Sequence, residues 1–260
     1  GAEMNFENKT AIITGSSGIA LATAIALAKE GAQVHIAGID EGHNAEAKTA
    51  AVKLPITVHK VDISYEAQVK LWIDSIASQS GGIDILINSA GIQTFGNIES
   101  TETADWDQVM NINLRSCFLT GHYVYPHMKK RGGGSIIHVS SVQGHSNQNN
   151  VLAYATSKGA QQSLTRAMAV DCAKDNIRVN SISPGSIRTP LLEYSALQLA
   201  SEDKSVEDMI GEFGQSHPIG RVGSPDEVAA LICFLVGEKG GFCVGADYLI
   251  DGGLSAQLGV

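Results

Sequence analysis

Thr10-Ala11-Ile12-Ile13-Thr14-Gly15-Ser16-Ser17-Gly18-Ile19-Ala20 is the stretch from which the fold can be read. Thr10–Thr14 is a short, nearly continuous apolar run, the pattern of a strand buried on both faces. It runs directly into a glycine-rich turn, and a helical pattern follows over Leu21–Glu30. Glycine there lets the backbone turn tightly, and its missing Cβ lets a pyrophosphate come close. The helix N-terminus adds free N–H groups and a partial positive charge. Gly15, Ser17, Gly18 and Ile19 are therefore candidate contacts for a dinucleotide.

Outward from this unit the same alternation repeats. Further strands are expected at Gln33–Gly38, Ile56–Val61, Ile83–Asn88, Gly134–Ser140, Arg178–Ile182 and Tyr248–Asp251. Helical patterns lie between them at Asn44–Leu54, Glu66–Gln79, Ala104–Lys130, Val151–Asp175 and Asp226–Val236. Repeated β-α-β order implies right-handed crossovers and a doubly wound parallel α/β sheet. No linker divides the 260 residues, so residues 4–260 read as one domain, and Gly1-Ala2-Glu3 before Met4 reads as an expression scar. Residues 190–217 are longer and more polar than other connections and are expected to form a lid over a pocket.

The bulk numbers exclude several function classes. A net charge of −9 disfavours nucleic acid, which needs basic patches to neutralise phosphates. No run approaches the ~18 apolar residues of a membrane span. Cys117, Cys172, Cys233 and Cys243 are scattered, with no metal-ligand spacing, so free thiols, a cytoplasmic setting and no metal are expected.

An acidic residue near the end of the second strand would bind ribose hydroxyls. That strand ends Gly38-Ile39-Asp40-Glu41. Asp40 either takes this role or caps the next helix. No Arg or Lys lies between Gln33 and Ala47 to meet a 2′-phosphate, and Asp40 and Glu41 would repel one, so NAD is preferred over NADP. Asp62 and Ile63 follow the third strand, where Asp62 either accepts from the adenine amino group or caps a helix. Asn88, Ala90 and Gly91, in Asn88-Ser89-Ala90-Gly91 after the fourth strand, suit a wall against the cofactor.

Tyr154 and Lys158 stand four residues apart, on one helical face, with Ser141 13 residues before the tyrosine. Free tyrosine, with a pKa of about 10, is a poor base near neutral pH. A neighbouring ammonium is expected to favour the phenolate, while the serine hydroxyl holds a substrate oxygen. Such a set suits proton exchange at an alcohol or carbonyl if something else moves a hydride.

Together the Gly-rich turn, NSAG, Asn113 in NINL, Ser141, YATSK and SPGSIRTP resemble the short-chain dehydrogenase/reductase family, in the family's order and from Lys9 to Gly253. The resemblance implies a single-domain Rossmann fold, with a seven-stranded parallel sheet in order 3-2-1-4-5-6-7 and helices on both faces. It also implies hydride transfer with a nicotinamide cofactor and a homotetramer, with a homodimer as the alternative. By resemblance Tyr154 is the acid/base, Lys158 its partner and a ribose contact, and Ser141 the substrate-oxygen clamp. Asn113 helps hold a water beside Lys158, and Pro184, Gly185, Ile187 and Thr189 pack on the nicotinamide. The chain departs from the family twice. Two residues rather than three separate the first two glycines of the turn, with Ala20 in the third glycine's place, and Gly38 replaces the usual strand-end acid.

The segment between Ser141 and Tyr154 lines the substrate pocket in that family. Here it carries Gln143, His145, Asn147, Gln148 and Asn149, and Gln93 stands on the opposite wall. Unpaired buried polar groups cost about 1–3 kcal/mol each, so such a wall rejects purely apolar ligands. A sugar or polyol is the expected substrate, with a 3-oxoacyl thioester of acyl carrier protein as the enzymatic alternative. A non-catalytic dinucleotide sensor is the alternative of a different class.

Overall fold

The computed structural model describes residues 4–258; the three residues read as an expression scar lie outside them. The seven strands are β1 (Thr10–Thr14), β2 (Gln33–Gly38), β3 (Ile56–Lys60), β4 (Ile85–Asn88), β5 (Gly134–Val139), β6 (Ile177–Pro184) and β7 (Asp247–Ile250). They form one sheet in the order β3-β2-β1-β4-β5-β6-β7, with every pairing parallel.

Strand alternation sends successive side chains to opposite faces, and each face has its own core. Ala11 and Ile13 of β1 point to the layer of α1 (Gly18–Lys29), α2 (Glu41–Ala50) and α9 (Pro225–Val236). Ile12 points to the other layer, formed by α3 (Glu66–Ser80), α5 (Ser116–Arg131) and α6 (Leu152–Cys172). This is a single-domain Rossmann fold, as the repeated apolar strands imply.

Three local departures from the sequence expectation bear on the site. The helix expected over Ala104–Lys130 is interrupted: α4 (Thr103–Val109) passes into a π-helical turn at Met110–Arg115 before α5 begins. The extra residue in that turn leaves the Asn113 carbonyl free to accept from Gln161 Nε2 and Cys117 Sγ. Second, Val151–Asp175 is α6 followed by a short 3₁₀ turn. Third, the expected lid segment holds two helices, α7 (Pro190–Leu199) and α8 (Val206–Gln215). Thr189 caps α7, and Ser205 and Asp208 form a capping box on α8. Ala196, Met209 and Ile210 give this pair a small core of its own, apart from the two main ones.

Candidate active site

A cleft of about 1470 Å³ runs along the C-terminal ends of the strands. Ordinary small-molecule sites are roughly 300–1,000 Å³, so this one has room for a dinucleotide together with a second ligand. One end is the Gly15–Ile19 turn, the middle is Ala90, Gly91, Ser141, Tyr154 and Lys158, and α7 and α8 cover the far side.

The turn fits a pyrophosphate on two observations. Gly15 and Gly18 both have positive φ, +98° and +53°, a conformation that favours glycine. Ser17 precedes α1 with no side-chain capping bond, so no side chain competes for the N–H groups of the first turn. The tight spacing of this turn is matched at Gly38. A Cβ there would lie 2.2 Å from Asn44 Oδ1 and 2.3 Å from Ser16 Oγ, so the place of a strand-end acid is already filled.

Asp40 lies along the cleft and also caps α2, its Oδ1 accepting from the His43 N–H at 2.7 Å. That backbone hydrogen bond holds its carboxyl below the usual range. Asp62 and Ile63 line the cleft too. Asp62 is not the cap of α3, a position held by Tyr65. Its Oδ1 instead accepts from the Ser64 N–H and hydroxyl, at 2.9 and 2.6 Å. His43 and Lys60 escaped the sequence reading of this region. His43 lines the cleft, and Lys60 is tied to Glu41 at 2.6 Å, a pairing made only when β3 lies beside β2.

Ser141, Tyr154 and Lys158 are 7%, 8% and 4% exposed and share the middle of the cleft. Ser141 sits at the end of β5, where its Oγ accepts from the Gln143 N–H at 3.1 Å. Tyr154 and Lys158 are one turn apart on α6, with Nζ 5.5 Å from the phenol ring centroid and donating to the Val139 carbonyl at 2.8 Å. The protonation balance corrects the sequence expectation. Burial pushes the Tyr154 phenol up, and its hydrogen bond with Ser141 only partly opposes this. Burial also pulls the Lys158 ammonium down to about 8. Desolvation disfavours both charged forms. Burial therefore sets the balance at the phenol, and the protein alone favours a neutral tyrosine.

Four other expected contacts are placed elsewhere. Asn88 is buried beneath the cleft, its Oδ1 accepting from Thr120 Oγ1 at 2.8 Å. Asn113 is fully buried behind the wall, with Oδ1 accepting from the Ile92 N–H and Nδ2 donating to the Ile92 carbonyl and Ser157 Oγ. The Asn113 backbone carbonyl also accepts from Gln161 Nε2. His145 and Asn149 do not line the cleft; His145 turns away to Asp247, and Asn149 is exposed. Pro184, Gly185, Ile187, Thr189, Gln93, Gln143, Asn147 and Gln148 do line it.

The sequence reading missed an apolar wall made by Phe95, Leu191, Tyr194, Leu199 and Phe213. Phe95 and Tyr194 rings lie 6.3 Å apart across it. Nothing in periodicity marks these residues, because they meet only when α7 and α8 fold over the strand ends.

A family model described as enoyl-(acyl carrier protein) reductase matches residues 13–255. The chain belongs to the short-chain dehydrogenase/reductase family. An uncharacterized oxidoreductase, YxbG, from Bacillus subtilis is 38% identical over 96% of this chain and 92% of its own length. Cyclopentanol dehydrogenase from a Comamonas strain is 34% identical, covering 96% of this chain and 98% of that protein. The ligand-free structure of an aldohexose dehydrogenase from Thermoplasma acidophilum superposes with a TM-score of 0.91 at 33% identity, covering 100% of this chain and 98% of that one. As a short-chain dehydrogenase/reductase, the chain is an oxidoreductase acting on alcohol or ketone groups with a nicotinamide cofactor.

Proposed function

We propose that this enzyme is an NAD-dependent dehydrogenase of small ring-shaped secondary alcohols that carry further hydroxyl groups, a sugar or cyclic polyol. One observation carries the reading: Ser141, Tyr154 and Lys158 line the same cleft as the Gly15–Ile19 turn, together with a set of side-chain amides and a set of apolar side chains. The bound nicotinamide supplies the hydride acceptor or donor. The protein's own residues do the rest. During oxidation the phenolate form of Tyr154, the minor form in the protein alone, takes the hydroxyl proton and becomes the neutral phenol; during reduction the neutral phenol gives that proton back. Ser141 Oγ holds the substrate oxygen, and the Lys158 ammonium stabilises the phenolate.

Gln93, Gln143, Asn147 and Gln148 offer hydrogen bonds to ring hydroxyls, while Phe95 and Tyr194 offer a flat apolar surface to a ring face. A linear thioester uses the second wall but leaves the amides unpaired, which favours the ring over a 3-oxoacyl thioester. The names of the cyclopentanol and aldohexose dehydrogenases agree with a ring substrate. Preference for NAD rests on Asp40, which lines the cleft, since Glu41 and Lys60 offset each other. The proposal includes a lid made of α7 and α8 and a homotetramer. Among the described residues no helix is long and apolar enough to cross a membrane. The four cysteines are free thiols, which supports a reducing cytoplasmic setting.

The test follows reduced-nicotinamide absorbance with NAD or NADP and a panel of D-glucose, myo-inositol, cyclohexane-1,2-diol, cyclopentanol and a 3-oxoacyl thioester. Turnover of the hydroxylated rings with NAD, lowered ~10²–10⁴-fold in Tyr154→Phe, is expected. Activity confined to the thioester, or equal activity in Tyr154→Phe, overturns the reading.

A further inference from the structure

His145 was expected in the substrate site, and its departure from it has a consequence. Its Nε2 donates to Asp247 Oδ2 at 2.6 Å, across to the edge strand β7. Asp247 is an anchor with little freedom. Its side chain is only 13% exposed, and both of its oxygens are engaged, by Ser181 Oγ at 2.6 Å and by Ser183 Oγ at 2.8 and 2.9 Å. Ser183 Oγ in turn accepts from Gln162 Nε2 at 3.1 Å, and the same amide lies 3.0 Å from Ser140 Oγ and 3.4 Å from the Ser141 carbonyl.

The chain from Ser141 to His145 is therefore pinned at both ends to one buried network. Ser141 is held through Gln162 on α6, and His145 through Asp247 on β7. Between them lies a single 3₁₀ turn, Val142–Gly144. Gly144 is pressed against Gln162 so closely that a Cβ would lie 2.4 Å from its Nε2. The residues that follow hang from this turn. The Gln148 N–H donates to Gln143 Oε1 at 2.9 Å, and Asn147 Nδ2 donates to the Gln143 carbonyl. Gln143, Ser146, Asn147 and Gln148 are the part of this segment that lines the cleft.

We propose that the His145–Asp247 pair is a latch that fixes the substrate-facing segment Gln143–Gln148 and so sets substrate affinity without touching the reacting atoms. His145 is a positioning residue: it ties an exposed, polar, otherwise self-supported segment to the sheet at its outer end. The backbone at the Ser141 end keeps its own tie, through Gln162 to the Ser141 carbonyl. Loss of the latch therefore loosens the amide wall while Tyr154 and Lys158, carried by α6, and the Ser141 backbone stay in place. The inference rests on the reading of this cleft as the substrate site.

The experiment compares His145→Ala, His145→Gln and Asp247→Asn with the parent full-length protein. Hydrogen–deuterium exchange is measured on each without substrate, so it is independent of which alcohol is used. Exchange at least ~10-fold faster, confined to the peptides spanning residues 141–151, is expected in His145→Ala, with partial recovery in His145→Gln, which keeps a side-chain N–H donor. Steady-state kinetics with NAD and cyclohexane-1,2-diol then reads the function. A substrate KM raised about tenfold, with kcat and the KM for NAD within about twofold, is expected in His145→Ala. Unchanged exchange in both His145→Ala and Asp247→Asn overturns the latch. So does faster exchange with an unaltered KM, or an equal fall in kcat and kcat/KM. A diol that the parent does not turn over counts against the polyol reading alone, and the exchange result still decides the latch.

Discussion

Placing a side chain at position 38 should weaken the protein and its cofactor site together. In dinucleotide sites of this fold an acid near this strand end binds the ribose hydroxyls, so Gly38→Asp looks like a way to tighten NAD binding. Gly38 has an ordinary negative φ, so the backbone itself permits a side chain. The obstacle is space. A Cβ would lie 2.2 Å from Asn44 Oδ1, 2.3 Å from Ser16 Oγ and 2.8 Å from Ser16 Cβ. Carbon contacts settle near ~3.5–4.0 Å, so the overlap is about an ångström with two neighbours at once. Asn44 and Ser16 are 6% and 5% exposed and cannot swing into solvent. Overpacking of this kind costs about 1–3 kcal/mol, while replacing Gly by Ala at a permitted φ returns ~0.4–1 kcal/mol through the unfolded chain. The net for Gly38→Ala is a loss of roughly 1–2 kcal/mol, a Tm lower by about 2–8 °C in a chain of this size. Ser16 belongs to the Gly-rich turn, so its displacement moves the pyrophosphate-facing amides and should raise the KM for NAD in both Gly38→Ala and Gly38→Asp. Thermal unfolding and NAD titration check both effects. A Gly38→Ala protein as stable as the parent with an unchanged KM for NAD would falsify the packing argument.

Two pH effects complete the set. Lys158 is buried with its ammonium lowered to about 8, so kcat/KM for ketone reduction, which needs the protonated pair, should be level below that pH and fall as pH rises through it. Lys158→Arg, which keeps its charge far higher, should carry any surviving activity past this limb; an unmoved limb in that variant would assign it to another group. His138 is completely buried and its imidazole is pushed down to about 4, chiefly by desolvation. The unfolded chain binds that proton near the ordinary value of about 6.5, so stability should drop as pH falls from there toward 4, by up to about 3 kcal/mol. Denaturant unfolding at a series of pH values in the parent and His138→Leu reads this, and parallel curves for the two proteins count against it.

Much of the fold was legible because a buried parallel strand advertises itself locally. Thr10–Thr14 and Gln33–Gly38 have the boundaries that their apolar runs suggest. The π-helical turn at Met110–Arg115 was not legible, since one helical pattern runs through Asn113 and the extra residue appears only where Gln161 and Cys117 meet its carbonyl. In the site, the serine, tyrosine and lysine were visible as a spacing. The polar segment was visible only as a composition. Gln143 and Gln148 reach the cleft while His145, two residues on from Gln143, turns to the edge strand. Composition says that a side chain can donate; it does not say toward what.

By itself, the order of residues determined the α/β architecture and the glycine-rich first turn, because periodicity and backbone freedom act over a few neighbouring residues. Only the folded structure decided that Gly38 has no room for an acid, that apolar residues from α7 and α8 share the cleft with the amides, and that burial favours a neutral Tyr154 in the protein alone. Each of these depends on which distant segments share a volume. Desolvation and close packing are properties of that shared volume, and no local stretch of sequence contains them.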